Sequence, residues 1–121
     1  MSIQLQDTFI KSIKDIETDL ADIGFSYLTI TEKGYATYVD FKLAENTKVS
    51  FMFGPSDWNV EILLTTEQKK YAFKDLLEIP SIAQWTKENK FQPGTNDRIK
   101  EEVIWFAELL KFVIKIKPWI N

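Results

Sequence analysis

Few side chains in this chain could do chemistry, and they are poorly grouped. None of the 121 residues is cysteine or histidine, so there is no thiol nucleophile, no imidazole base and no Cys/His zinc site. Catalysis would have to rest on carboxylates, lysine, tyrosine or serine. Ser56 sits in Gly54-Pro55-Ser56-Asp57-Trp58. That run is not Gly-x-Ser-x-Gly, and it joins two expected strands where a nucleophile elbow joins a strand to a helix. Its proline and glycine read as a hairpin turn. Glu101 and Glu102 come nearest to an acid–base pair. Neighbours on a helix point about 100° apart, however, so both are expected on the solvated surface. Asp15, Asp19 and Asp22 come nearest to a hard-metal cluster, but they lie on a helix face that cannot enclose an ion. The four glycines are scattered and form no phosphate-cradling loop. The expectation is a protein that is not an enzyme and needs no metal or cofactor.

The bulk properties point the same way. There are 15 basic and 18 acidic residues, a net charge of −3. The single arginine is Arg98, so the basic footprint of a nucleic-acid binder is missing. With 45% hydrophobic residues the chain is foldable, and its length fits one domain, residues 1–121. Met1 to Leu20 carries charges throughout, unlike a signal peptide. The most apolar run, Leu109 to Ile120, is broken by Lys111, Lys115 and Lys117 and is too short to span a bilayer. No membrane or nucleic-acid partner and a cytoplasmic location are therefore expected.

The elements that must position these residues follow from periodicity. Phe9, Ile13, Ile16, Leu20 and Ile23 recur at helical steps, predicting a helix over 5–23 stopped by Gly24. From 26 to 66 the period becomes two. Leu28 and Ile30; Tyr35, Thr37, Val39, Phe41 and Leu43; Val49, Phe51 and Phe53; and Trp58, Val60, Ile62 and Leu64 are expected on one face of a four-stranded antiparallel meander. Lys70-Tyr71-Ala72-Phe73 reads either as a fifth edge strand or as the run into a helix. Pro80 suits the first position of a short helix with Ile82 and Trp85 inward. Thr95 or Asn96 can cap a long last helix from about Asp97 to Lys117. That helix carries two adjoining apolar stripes, Ile99/Val103/Phe106/Leu110/Val113 and Trp105/Leu109/Phe112/Ile116, so it should be flanked on two sides. The fold class is α+β, with the sheet packed by the first and last helices. Phe9, Ile13, Ile16, Leu20, Val39, Phe41, Phe51, Phe53, Val60, Ile62, Ile99, Val103, Phe106 and Leu110 form the expected core.

Charge is unevenly placed. Residues 1–66 hold ten acids and five lysines, net −5; residues 67–121 hold eight acids and ten basic residues, net +2. Asp15, Asp19 and Asp22 share one face near the C-terminal end of the first helix. There they repel one another and oppose the macrodipole, with no visible compensation in the sequence. Two readings stand: a solvated face, or an acidic docking stripe for a basic protein, joined by Glu32 and Asp57 near the turns. A second candidate is the less apolar sheet face, with Tyr38, Met52 and Leu63 among Asp40, Lys42, Ser50, Asn59 and Glu61; the alternative is that a helix covers it. Trp58 and Trp119 are possible exposed anchors, while Trp85 and Trp105 are expected in the core.

Taken together, several segments set a recognisable layout. They are Ile23-Gly24-Phe25 after the first helix, the hairpin at Glu32-Lys33-Gly34-Tyr35, the run from Phe51 to Glu61, Tyr71 to Leu77, and the long last helix. The layout resembles small bacterial immunity proteins of polymorphic toxin systems. The resemblance implies a non-enzymatic cytoplasmic inhibitor that binds one cognate toxin, often a nuclease, and blocks its active site. The layout is also similar to acidic, homodimeric secretion chaperones, for which the doubly apolar last helix would be the dimer face. A small-ligand or catalytic domain on the same sheet is the third class.

Overall fold

A computed structural model describes residues 2–33, 36–44, 47–54, 60–67, 69–91 and 98–116. The element order is α1 (Ser2–Asp22), β1 (Ser26–Lys33), β2 (Ala36–Ala44), β3 (Thr47–Phe53), β4 (Val60–Thr65), β5 (Lys70–Ala72), α2 (Phe73–Leu76), α3 (Pro80–Glu88) and α4 (Arg98–Ile116). The strands form one antiparallel sheet in the order β1-β2-β3-β4-β5. The fold is α+β. Lys70–Phe73 serves both of its expected purposes: three residues add an edge strand and Phe73 opens α2. Thr66 tightens the turn before β5. Its N–H and hydroxyl both donate to the Lys69 carbonyl, at 2.8 and 3.0 Å, and the hydroxyl accepts from the Lys69 N–H at 3.1 Å.

α1 ends as its glycine predicts. Gly24 has φ +101°. The Phe25 N–H donates to the Leu20 carbonyl at 2.9 Å and the Gly24 N–H to the Ala21 carbonyl at 3.0 Å. This is the paired closure of a Schellman motif, and both Leu20 and Phe25 are buried beside it.

One face of the sheet is covered. Val39, Phe41, Val49, Phe51, Phe53, Val60, Ile62 and Leu64 are buried there with Phe9, Ile13, Ile16 and Leu20 of α1 and Val103, Phe106, Leu110 and Val113 of α4. Phe9 stacks on Phe53 at 5.3 Å, and Phe41 meets Phe51 edge-on at 6.0 Å. Phe9 lies over Phe53, and Glu102 bonds Val60, the cross-strand partner of Phe53. Further along both helices, Lys111 of α4 lies in the field of Asp19 and Asp22 of α1. The two helices therefore run side by side in the same direction. α3 packs on the other flank of α4, with Trp85 5.7 Å from Trp105 and 6.0 Å from Phe112. The second apolar stripe of α4 is thus partly covered within the chain, with Leu109 buried and Trp105, Phe112 and Ile116 half-buried, and Ala107 and Ile114 widen the buried arc further.

Three packing expectations need correction. Leu28 and Ile30 do not share a face: a bulge between Tyr27 and Thr29 inserts one residue. Tyr27 and Ile30 therefore pair with Phe41 and Val39, and Leu28 stays 46% exposed. Ile99 is half-buried, in the first turn of α4. Trp85 and Trp105 pack against the core but are also only half-buried, because they form its edge. No helix of the described residues is long and apolar enough to cross a membrane.

Candidate protein-binding surfaces

The acidic stripe lies on the helical side of the molecule. Buried Phe9, Ile13, Ile16 and Leu20 fix the roll of α1. Asp15 and Asp22 are then exposed, and Asp19 is half-buried on the shoulder facing α4. Part of the stripe has a cation near it. Lys111 donates to Glu108 at 3.0 Å, and this bond holds its ammonium above the ordinary lysine range, with the charges of Glu108, Asp19 and Asp22 adding to it. That cation is almost ninety positions along the chain from the aspartates, and only tertiary packing brings it near. Even so, residues 7–22 hold five acids and two lysines, and four of those acids (Asp7, Asp15, Glu17 and Asp22) are exposed.

The second surface is the other face of the sheet, on which no helix packs among the described residues. Its side chains form three cross-strand rows. The first is Thr31, Tyr38, Met52 and Glu61. The second is Thr29, Asp40, Ser50, Leu63 and Ala72. The third is Ser26, Lys42, Lys48, Thr65 and Lys70. Tyr38, Met52 and Leu63 are half-buried by their sheet neighbours alone. Ser50 donates to Asp40 Oδ1 at 2.6 Å, which satisfies the most buried polar group on this face. The third row holds three lysines, so this face is mixed in charge although it lies largely within the acidic half of the sequence.

The expected binding residues therefore separate. Asp15, Asp19 and Asp22 are together on α1. Tyr38 and Asp40 are together on the open face, on the opposite side of the sheet. Glu32 is exposed near the end of β1, opposite Thr37, whose side chain enters the covered core. Asp57 and Trp58, like Tyr35, Ser56, Asn59, Thr95, Asn96 and Trp119, lie outside the described residues.

Glu102 was not expected. Its place beside Glu101 predicts solvated surface, yet its side chain is only 15% exposed. Its Oε1 accepts the Val60 N–H at 3.2 Å and lies 3.8 Å from Arg98 Nε. Burial raises the carboxyl above its ordinary value, and the Val60 N–H and the Arg98 charge only partly offset that. The signal was present in the sequence: at about 100° per residue, Glu102 falls between the two apolar stripes, near Leu109 and Phe106. Among the described residues, no group of three carboxylates converges to hold a metal. Compared with protein-family models, curated proteins and solved structures, the chain matches none.

Proposed function

We propose that this chain is a non-enzymatic, cytoplasmic protein of immunity type: it lays the acidic outer face of α1 against a basic surface of a cognate bacterial toxin and blocks that toxin's activity. The observation that carries this reading is the concentration of charge on one rigid helix. Between residues 7 and 22, five acids outnumber two lysines, and Asp15 and Asp22 are exposed on the same flank. A patch of one sign on a pre-formed helix speeds encounter with a patch of opposite sign, and it lowers affinity for acidic partners. The acids add little to fold stability where they sit, near the negative end of the helix dipole. The helix–meander–helix layout that resembles immunity proteins is the second support. Tyr38 and Asp40, across the sheet, belong to the same interface only if the partner reaches past the β1 edge, so α1 is the primary surface.

The reading is tested by expressing each reading frame that flanks the gene in a bacterial host, with and without this chain. One frame should arrest growth alone, and growth should return when this chain is co-expressed and forms a stoichiometric complex with its product. If an arresting product neither binds this chain nor is neutralised by it, the reading fails.

A further inference from the structure

Besides these surfaces the molecule has an aromatic cleft where α2, α3 and α4 meet the start of β4. It is open to solvent and has a volume of about 420 Å³, within the range of small-ligand sites. Phe73, Phe91, Trp105 and Phe106 form its walls, and Glu102 is the only carboxylate among the described residues that line it. The walls are locked together: Phe73 lies edge-on to Trp105 at 5.6 Å and to Phe106 at 5.4 Å, and Phe91 lies 6.2 Å from Trp105. Trp105 is fixed further by its indole N–H, which donates to the Asn89 carbonyl at 2.6 Å. Both contacts drawn from Glu102 go to Oε1, from the Val60 N–H and, more distantly, from Arg98. The second carboxylate oxygen receives no hydrogen bond from the described residues.

We propose that this cleft binds a cationic head, an ammonium or guanidinium group, carried on an apolar stem. The head sits against the second oxygen of Glu102, and the stem lies along Trp105, Phe73 and Phe106. A carboxylate set among aromatic faces is what such a group requires, since ring quadrupoles and the fixed charge attract it together and the walls remove the stem from water. The raised pKa of Glu102 fits: burial leaves its ionised form under-solvated, and a cation beside it would offset that. Lys90, also exposed among the lining residues, limits the ligand to one cationic group. It repels a second cation, so the outer end of the ligand is neutral or acidic. The ligand is either a free small amine or a lysine or arginine side chain of another protein, and the cleft recognises the same chemistry in both.

The probes are butylamine, Nα-acetyl-lysine amide, and Nα-acetyl-norleucine amide as the uncharged control. They are titrated into the intact chain while its tryptophan indole N–H signals are followed by NMR, with Trp105 assigned from a Trp105→Phe variant. The two cationic probes should shift the Trp105 signal saturably and the norleucine probe should not. Glu102→Gln keeps an oxygen for the Val60 N–H and should weaken cation binding by about ten- to a hundredfold. Tighter binding of butylamine identifies a free amine as the ligand; tighter binding of the lysine amide identifies a protein side chain. Equal shifts from the norleucine probe, unchanged affinity in a folded Glu102→Gln variant, or no saturable shift from either cation would overturn the proposal.

Discussion

Replacing Gly24 with alanine tests how α1 is joined to the sheet. At φ +101° an L side chain is strained, by roughly 1–2 kcal/mol if the left-handed penalty applies. A Cβ there would also come within 3.0 Å of Leu43 Cδ1. That atom ends a flexible, half-buried side chain, so the contact adds only a few tenths after relaxation. Alanine in turn restricts the unfolded chain, which returns about 0.4–1 kcal/mol. The balance is a loss of about 1 kcal/mol. In urea, with a slope of roughly 1–3 kcal/mol/M, the midpoint should fall by about 0.3–1 M with the slope unchanged. The melting temperature should fall by about 4 °C. Combining Gly24→Ala with Leu43→Ala separates the two causes. The double variant should be more stable than the sum of the singles predicts by a few tenths of a kcal/mol, while the backbone part persists. If Gly24→Ala alone matches or exceeds the parent in stability at the same slope, the assigned strain is wrong.

Two further outcomes follow from buried polar groups. Thr37 is fully buried, and its Oγ1 finds no hydrogen-bond partner among the described residues; Thr37→Val should therefore raise stability by about 1 kcal/mol, seen as a higher urea midpoint. Burial raises the Glu102 carboxyl above 4.5, so the folded state holds that proton more tightly than the unfolded state does. The stabilisation this gives is complete below the unfolded value and is lost as pH rises through the folded one. Parent protein should lose stability relative to Glu102→Gln between pH 4.5 and neutrality, and a difference in melting temperature that stays constant with pH would contradict the burial.

The fold was largely legible because its apolar periods are clean. Steps of three and four in α1, and alternation from Val39 to Leu64, depend only on which face meets the core, and the described ones are buried as expected except Ile23 and Leu43, which pack half-buried at its rim. What escaped depends on tertiary geometry. The bulge after Tyr27 reverses the parity of half of β1, and no local residue type announces it. Lys111 reaches the α1 aspartates only because α4 lies alongside them. Ile99 and the two tryptophans have apolar side chains placed at the rim, where periodicity cannot distinguish half-buried from buried. Glu102 was legible in principle. Its helical angle lies inside the apolar arc, but reading it as one of an adjacent pair hid that position. The α1 stripe was visible as charge on a face, whereas the separation of Asp15, Asp19 and Asp22 from Tyr38 and Asp40 required the layer order of helix and sheet.

The central claim is that the α1 carboxylates meet a basic partner. It is tested most directly by the association rate of the complex as a function of ionic strength, for the parent and for the Asp15→Lys, Asp19→Lys, Asp22→Lys triple variant, with the Asn triple variant as the milder change. The account predicts a parent rate that falls steeply with salt, a triple lysine variant slower by about tenfold or more at low salt with a flattened slope, and the Asn variant between them. Identical rates and slopes in all three folded proteins would contradict it.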